Sequence, residues 1–223
     1  MRTKMNPRWK IVALFVGGLA LLVSFYLDAS VQAWIAQHQS PELKWFMRRV
    51  SRVGDWEAHI ILGLSFLAVA FWRGNKRWMR ILAAMILAFA LAGTVSRVIK
   101  ISTGRARPDV KTETRWNAFQ TSSRYNAFPS GHTATSAAFF ATLALTTRWI
   151  ATASLIIPLL IGFSRMYIGA HHLSDVVGAL IIGLVTAFIM VRWIPPGDRE
   201  PQVFVSWPRI TIDASMLASA IRI

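Results

Sequence analysis

Cysteine is absent from the 223-residue chain, which excludes disulfides, thiolate metal sites and thiol nucleophiles. Acidic residues are scarce as well, with 10 Asp and Glu against 25 Lys and Arg. So few carboxylates offer no evident cluster for a hard cation, and no metal or other cofactor is expected. Charged residues amount to 16% of the chain, against about 25% in an ordinary soluble domain. Apolar residues take their place: 54% of the chain is hydrophobic, arranged in long blocks with few or no charges. That pattern belongs to a membrane protein. A net charge of +15 can signal nucleic-acid binding, but the basic residues lie between apolar blocks and leave little soluble surface for it. Topology signals and anionic lipid head groups explain the excess better. Membrane lipids are therefore expected partners and nucleic acid is not.

Six apolar blocks, at about 11–27, 57–72, 79–99, 132–147, 149–164 and 173–191, read as transmembrane helices, because a helix satisfies its own backbone in lipid. The fold class expected is an all-α six-transmembrane-helix bundle over residues 1–195, followed by a cytoplasmic tail, 196–223. Trp9, Trp34, Trp45, Trp56, Trp72, Trp78, Trp149 and Trp193 fall near the block ends, as interfacial anchors do. Arg2, Lys4, Arg8 and Lys10, then Arg73, Lys76, Arg77 and Arg80, then Arg148, then Arg192 all fall on one side of a six-span chain. The positive-inside rule makes that side cytoplasmic and turns the connections 28–56, 100–131 and 165–172 outward, across an inner (plasma) membrane. Val31-Gln32-Ala33 offers a signal-peptidase-like site after the first block. The block is longer than a signal peptide needs, so it is expected to remain as a span.

Three outward elements carry chemistry. The connection 100–131 holds Lys100, Arg105, Arg107, Lys111, Arg115 and Arg124 against Asp109 and Glu113. Cations on the outer side run against topology, and anion binding explains them economically; attraction to lipid head groups is the plainer alternative. Pro129-Ser130-Gly131-His132 then opens an apolar helix. The free N–H groups at its start favour an anion, Gly131 permits close approach, and His132 can donate a proton nearby. A bare N-cap would explain Ser130 alone. The third element is Ser164-Arg165, then His171 and Asp175, four positions apart and expected on one helix face. A carboxylate on one ring nitrogen leaves the other free to attack phosphorus. His172 is expected to point elsewhere as an interfacial residue. By itself a His–Asp pair also fits a proton relay in a transporter. The three elements share one membrane face, however, whereas transporter sites usually lie at the bilayer midplane.

Lys100 through Arg107-Pro108, Pro129-Ser130-Gly131-His132, and Ser164-Arg165 through His171 to Asp175 together resemble the three motifs of the type 2 phosphatidic acid phosphatase family. That resemblance implies a metal-independent membrane hydrolase acting on a lipid phosphate or diphosphate, with its active site at the periplasmic or outer face. It implies His171 as the nucleophile that becomes a phosphohistidine, Asp175 as its orienting partner and His132 as the general acid. Lys100, Arg107, Ser130, Gly131 and Arg165 would bind the phosphate. Lipid A 1-phosphate, undecaprenyl diphosphate, phosphatidylglycerol phosphate and phosphatidic acid all fit as substrates. A phosphotransferase that uses a second lipid as acceptor would share every motif. Vanadium-dependent haloperoxidases carry similar motifs, but they are soluble and lack the membrane blocks. The extra cations Arg105, Lys111, Arg115 and Arg124 hint at a highly charged head group.

Overall fold

The computed structural model describes residues 7–147 and 152–195. Seven α-helices lie among them: α1 (Pro7–Gln37), α2 (Pro41–Val53), α3 (Trp56–Trp72), α4 (Lys76–Thr103), α5 (Gly131–Thr146), α6 (Ile156–Tyr167) and α7 (Leu173–Val191). A helix overlaps each of the six expected blocks, although the fifth, read as 149–164, begins outside the described residues and is covered in part by the short helix Ile156–Tyr167. By length and apolarity alone, three can cross a membrane: Ile11–Gln37, Lys76–Thr103 and Leu173–Val191. A fourth span arises if α2 and α3, bent by 46°, count as one. Arg2, Lys4, Arg148, Trp149 and the tail 196–223 lie outside the described residues.

Helix α5 is the hub. Ala134, Ala137, Ala138 and Ala141 are buried along it, and small side chains let neighbouring backbones come close. On α7, a Cβ at Gly183 would stand 2.5 Å from the Ala137 Cβ, so only glycine allows that approach. Helix α4 packs on another side of α5 through Met85, Phe89, Phe139 and Phe140. The outer surface of the bundle is apolar instead: Leu14, Phe15, Leu22 and Phe71 are all exposed, as a lipid-facing surface requires. Trp34, Trp45, Trp56, Trp72 and Trp193 are exposed near helix ends. Trp78 differs from the expected anchors, because it packs partly buried against the α4–α5 core.

Helix α2 is the element that apolar runs did not announce. It is amphipathic, with Lys44, Arg48, Arg49 and Arg52 interleaved with Trp45, Phe46 and Val50, so no window of it reads as a span. Its start is nonetheless well signalled. The Ser40 Oγ accepts from the Leu43 N–H at 3.2 Å, and Pro41 stands at the first helical position. Tyr167, at the end of α6, holds this corner: its hydroxyl donates to the His38 carbonyl at 3.0 Å and accepts from the Ser40 N–H at 3.1 Å.

The long connection between α4 and α5 begins at Gly104, whose φ of 55° ends α4 in the left-handed region. A Cβ there would collide with the Asn117 carbonyl, so the loop folds back onto its own start. An antiparallel bridge between Arg105 and Trp116 and a 3₁₀ turn at Ser123–Tyr125 complete it.

Candidate active site

Two of the eight site residues expected from the sequence, His171 and Asp175, sit where α7 begins. Asp175 is completely buried in the first turn of that helix, where the helix dipole favours a carboxylate. Its Oδ2 accepts from the His172 backbone N–H at 2.7 Å and from the His172 ring at 3.2 Å. Its Oδ1 accepts from Arg105 Nη1 at 2.5 Å. The neighbouring Ser174 and Asp28, on α1, join the same cluster: Arg105 Nη1 donates to Ser174 Oγ at 2.6 Å and Nη2 to Asp28 Oδ2 at 2.7 Å. Asp28 also accepts from the Ser174 N–H at 2.8 Å.

This arrangement corrects three expectations. Arg105 is not an extra surface cation for a head group; it is 4% exposed and neutralised by two buried aspartates. His172 is no interfacial residue, because it is buried and bonded to Asp175. His171 does not share a helical face with Asp175, since α7 starts two residues later, at Leu173. The ring of His171 instead donates from Nδ1 to the Ala127 carbonyl at 2.8 Å, with Asp175 Oδ2 further off at 3.5 Å. A proton held on Nδ1 leaves the Nε2 lone pair free when the ring is neutral. Burial pushes the His171 pKa down to about 3, and the positive charges of Lys100 and Arg165 act the same way against the opposing Asp175. The imidazole is therefore neutral at physiological pH.

The cations gather beside it from two helices, α4 and α6, and the long loop. Lys100, on the last turn of α4, donates from Nζ to the Asn126 carbonyl at 2.6 Å. Its stem passes Gly131, where an added Cβ would lie 3.6 Å from Lys100 Cε, so the ammonium stands by the start of α5. Arg165, on the last turn of α6, donates from Nη1 to Ser51 Oγ at 2.8 Å. Arg107 makes no ion pair among the described residues, and the buried Nε of both arginines lacks a hydrogen-bond partner. Lys100, Arg107 and Arg165 lie close enough to repel one another, and both Lys100 and Arg165 bear on His132 and on His171. Six residues spread over 76 positions of sequence thus share one locality.

Ser130 caps α5 by position but not by side chain. Its Oγ pairs with Thr133 Oγ1 at 3.0 Å, and its backbone N–H donates to the Asp175 carbonyl at 3.0 Å. The backbone N–H groups at the start of α5 then lack intrahelical acceptors and point outward from the helix end. His132 stands in that first turn, with Nε2 donating to Asp55 Oδ1 at 2.7 Å.

Asp28, Ser51, Asp55 and the Ala127 carbonyl are site components that motif reading did not reach. Only the scarcity of acid could have flagged Asp28 and Asp55: with 10 carboxylates in the chain, each one beside an apolar block merits attention. Of the loop cations, Arg107, Lys111 and Arg124 line a polar cavity of about 460 Å³. A second cavity, of about 240 Å³, runs along His171, His172, Tyr167 and Asp28. A larger apolar one, about 530 Å³, lies between α3, α4 and α5 near Arg73 and Trp78, away from these residues. Among the described residues no group of three or more His, Asp or Glu side chains is arranged to hold a metal ion.

The PAP2 superfamily model matches residues 78–198. The chain is similar to the lipid A 1-phosphatase of Rhizobium johnstonii, 32% identical over 117 residues that cover 49% of this chain and 48% of that one. It spans about half the length of the rhizobial relatives it matches. Phosphatidylglycerophosphatase B of Bacillus subtilis is 24% identical over 199 residues, 82% of this chain and 93% of the relative. In fold the chain resembles the crystal structure of a transmembrane PAP2-type phosphatidylglycerolphosphate phosphatase from Bacillus subtilis. The TM-score is 0.62 at 23% identity, over 82% of this chain and 94% of that one.

Proposed function

Because the chain belongs to the PAP2 superfamily of membrane lipid phosphatases, we propose that it hydrolyses a lipid phosphate or diphosphate through a phosphohistidine on His171. The observation that supports this most is the pairing of a neutral His171 with a group of cations, Lys100, Arg107 and Arg165, that Asp175 and Asp55 offset only in part. Burial and the Ala127 carbonyl leave Nε2 as a nucleophile, while Lys100, Arg107 and Arg165 face one another with no carboxylate bonded to any of them among the described residues. Such mutual repulsion is relieved when a phosphate enters, and grows more favourable as charge develops on its oxygens in the transition state.

In the first step His171 Nε2 attacks phosphorus and the bond to the lipid oxygen breaks. His132 supplies the proton that this oxygen takes up. Water then attacks the phosphohistidine, returns a proton to His132, and releases inorganic phosphate with His171 restored. Asp175 fixes the backbone around His171 through the N–H of His172, and its Oδ2, 3.5 Å from the ring Nδ1, supports the same tautomer. The Gly131 end of α5 contributes backbone N–H groups to the phosphate oxygens. We place this site at the outer face of the inner membrane, on the strength of the basic residues flanking the opposite ends of the helices.

The substrate class follows the names of the relatives above in outline, lipid A 1-phosphate or phosphatidylglycerol phosphate, with undecaprenyl diphosphate as the third candidate from the motif resemblance. A phosphotransferase shares the first step and differs only in the acceptor. Brief mixing of the detergent-solubilised protein with a ³²P-labelled panel of these lipids should trap acid-labile, base-stable label on the wild type and none on His171→Ala. Free phosphate as the product, with or without an acceptor lipid, identifies the hydrolase. Undiminished turnover by His171→Ala would overturn the reading.

A further inference from the structure

The elbow between α2 and α3 meets the site at two points, through residues that no motif includes. Ser51, in the last turn of α2, accepts from Arg165 at 2.8 Å. Asp55, the residue before α3, accepts from His132 Nε2 at 2.7 Å. Between them, Gly54 admits no side chain: a Cβ there would come 2.7 Å from Ile161 Cγ2 and 3.3 Å from the His132 Cβ. The elbow is therefore seated against His132 rather than hung over it.

Asp55 is also held from below. Its backbone carbonyl accepts from His59 Nδ1 at 3.1 Å, one turn into α3. The other nitrogen of His59 meets Ser136 Oγ at 3.2 Å, and Ser136 lies one turn below His132 on α5. The contacts close into a ring, His132–Asp55–His59–Ser136 and back along α5. Its buried end is packed by Phe89, Phe139 and Phe140 around the His59 ring. The Asp55 backbone is fixed in this way, and its carboxylate bonds the His132 imidazole while also facing Arg165. Lys100 and Arg165 both bear on that imidazole with positive charge, and Asp55 is the carboxylate that offsets them.

We propose that Asp55 is the positioning residue of the general acid His132, holding Nε2–H so that Nδ1 delivers the proton. This rests on the phosphohistidine reading above. As the phosphorus–oxygen bond to the lipid breaks and the bond to His171 Nε2 forms, the Nδ1 proton of His132 passes to the lipid oxygen. The ring is left neutral with Nε2–H still on Asp55. When water attacks phosphorus and the bond to His171 breaks, a water proton returns to Nδ1. A carboxylate serves both halves by keeping the ring in one orientation and balancing its charge whenever the proton is on board.

The leaving group separates this role from mere support of the elbow. An alkoxide leaving from short-chain phosphatidic acid needs the proton, whereas the phenolate of 4-nitrophenyl phosphate does not. Asp55→Asn should lower kcat on dioctanoyl phosphatidic acid by roughly 10- to 100-fold, and on 4-nitrophenyl phosphate by less than about 3-fold. Asp55→Glu, which keeps the charge, should recover most of the difference, and it carries the test if the Asn variant fails to fold. An equal loss on both substrates, or none on either, would overturn the proposal. His171→Ala is run beside them: if it keeps activity on both substrates, the phosphohistidine reading has failed, whatever the Asp55 variants do.

Discussion

Arg105 and Arg107 stand two positions apart on one loop, and their surroundings are opposite. Arg105 turns inward, is buried, and is bonded to Asp28, Ser174 and Asp175. Arg107 has no carboxylate partner among the described residues and faces Lys100 and Arg165 instead. The first arrangement is finished within the protein: its charges cancel without any ligand. The second leaves positive charge over, which the proposed function assigns to an anion. Composition cannot distinguish the two, since both are arginines in a basic stretch. The two cations differ by partner and not by type.

The paired side of this comparison gives the largest expected effect. Replacing Arg105 by Met strands Asp28 and Asp175 as buried, uncompensated carboxylates, at a cost of about 3–5 kcal/mol. Unfolding of the detergent-solubilised variant should show that loss, with activity falling alongside it. A variant as stable as the wild type would mean that the buried cluster holds nothing together.

Arg107→Met tests the unpaired side and should behave in the reverse way. Removing one donor to the developing charge should cost about 100- to 1000-fold in kcat, while the melting temperature stays level or rises as repulsion is relieved. Inorganic phosphate should raise the melting temperature of the wild type but scarcely that of this variant. If Arg107→Met melts as badly as Arg105→Met, the contrast between the two arginines disappears.

The smallest effect is one of pH. The folded protein keeps His171 neutral down to about pH 3, whereas the unfolded chain protonates it near 6.5. The unfolded state therefore binds the extra proton between those values, so stability falls as pH drops from about 6.5 towards 3. Above 6.5 this contribution is constant. Melting curves at pH 7 and pH 5 should converge more in His171→Gln than in the wild type. Equal pH sensitivity in the two would place the titration elsewhere.

Much of the fold could be read from hydropathy alone, because the environment of a membrane helix is written along its own length. The block 173–191 coincides with Leu173–Val191, and 57–72 lies one residue inside Trp56–Trp72. Helix α2 escaped because an amphipathic surface helix alternates charge and apolar bulk within each turn. Likewise Lys100, Arg107, His132, Arg165, His171 and Asp175 were marked by spacing. Asp55 and Asp28 were not, since each is a lone acid with no partner within the reach of a motif.

The sequence by itself determined the apolar blocks, the scarcity of acid and the six residues whose spacing carries the resemblance. Those properties are local, set by neighbours along the chain. Only the tertiary structure decided the partners: Asp175 for Arg105 from 70 positions away, Asp28 for Arg105 and Asp55 for His132 from 77. It also gave the His171 proton to a backbone carbonyl, which no side-chain pattern encodes. Buried charge and imidazole take their properties from whatever the fold brings within about 3 Å, and that distance has no counterpart in sequence separation.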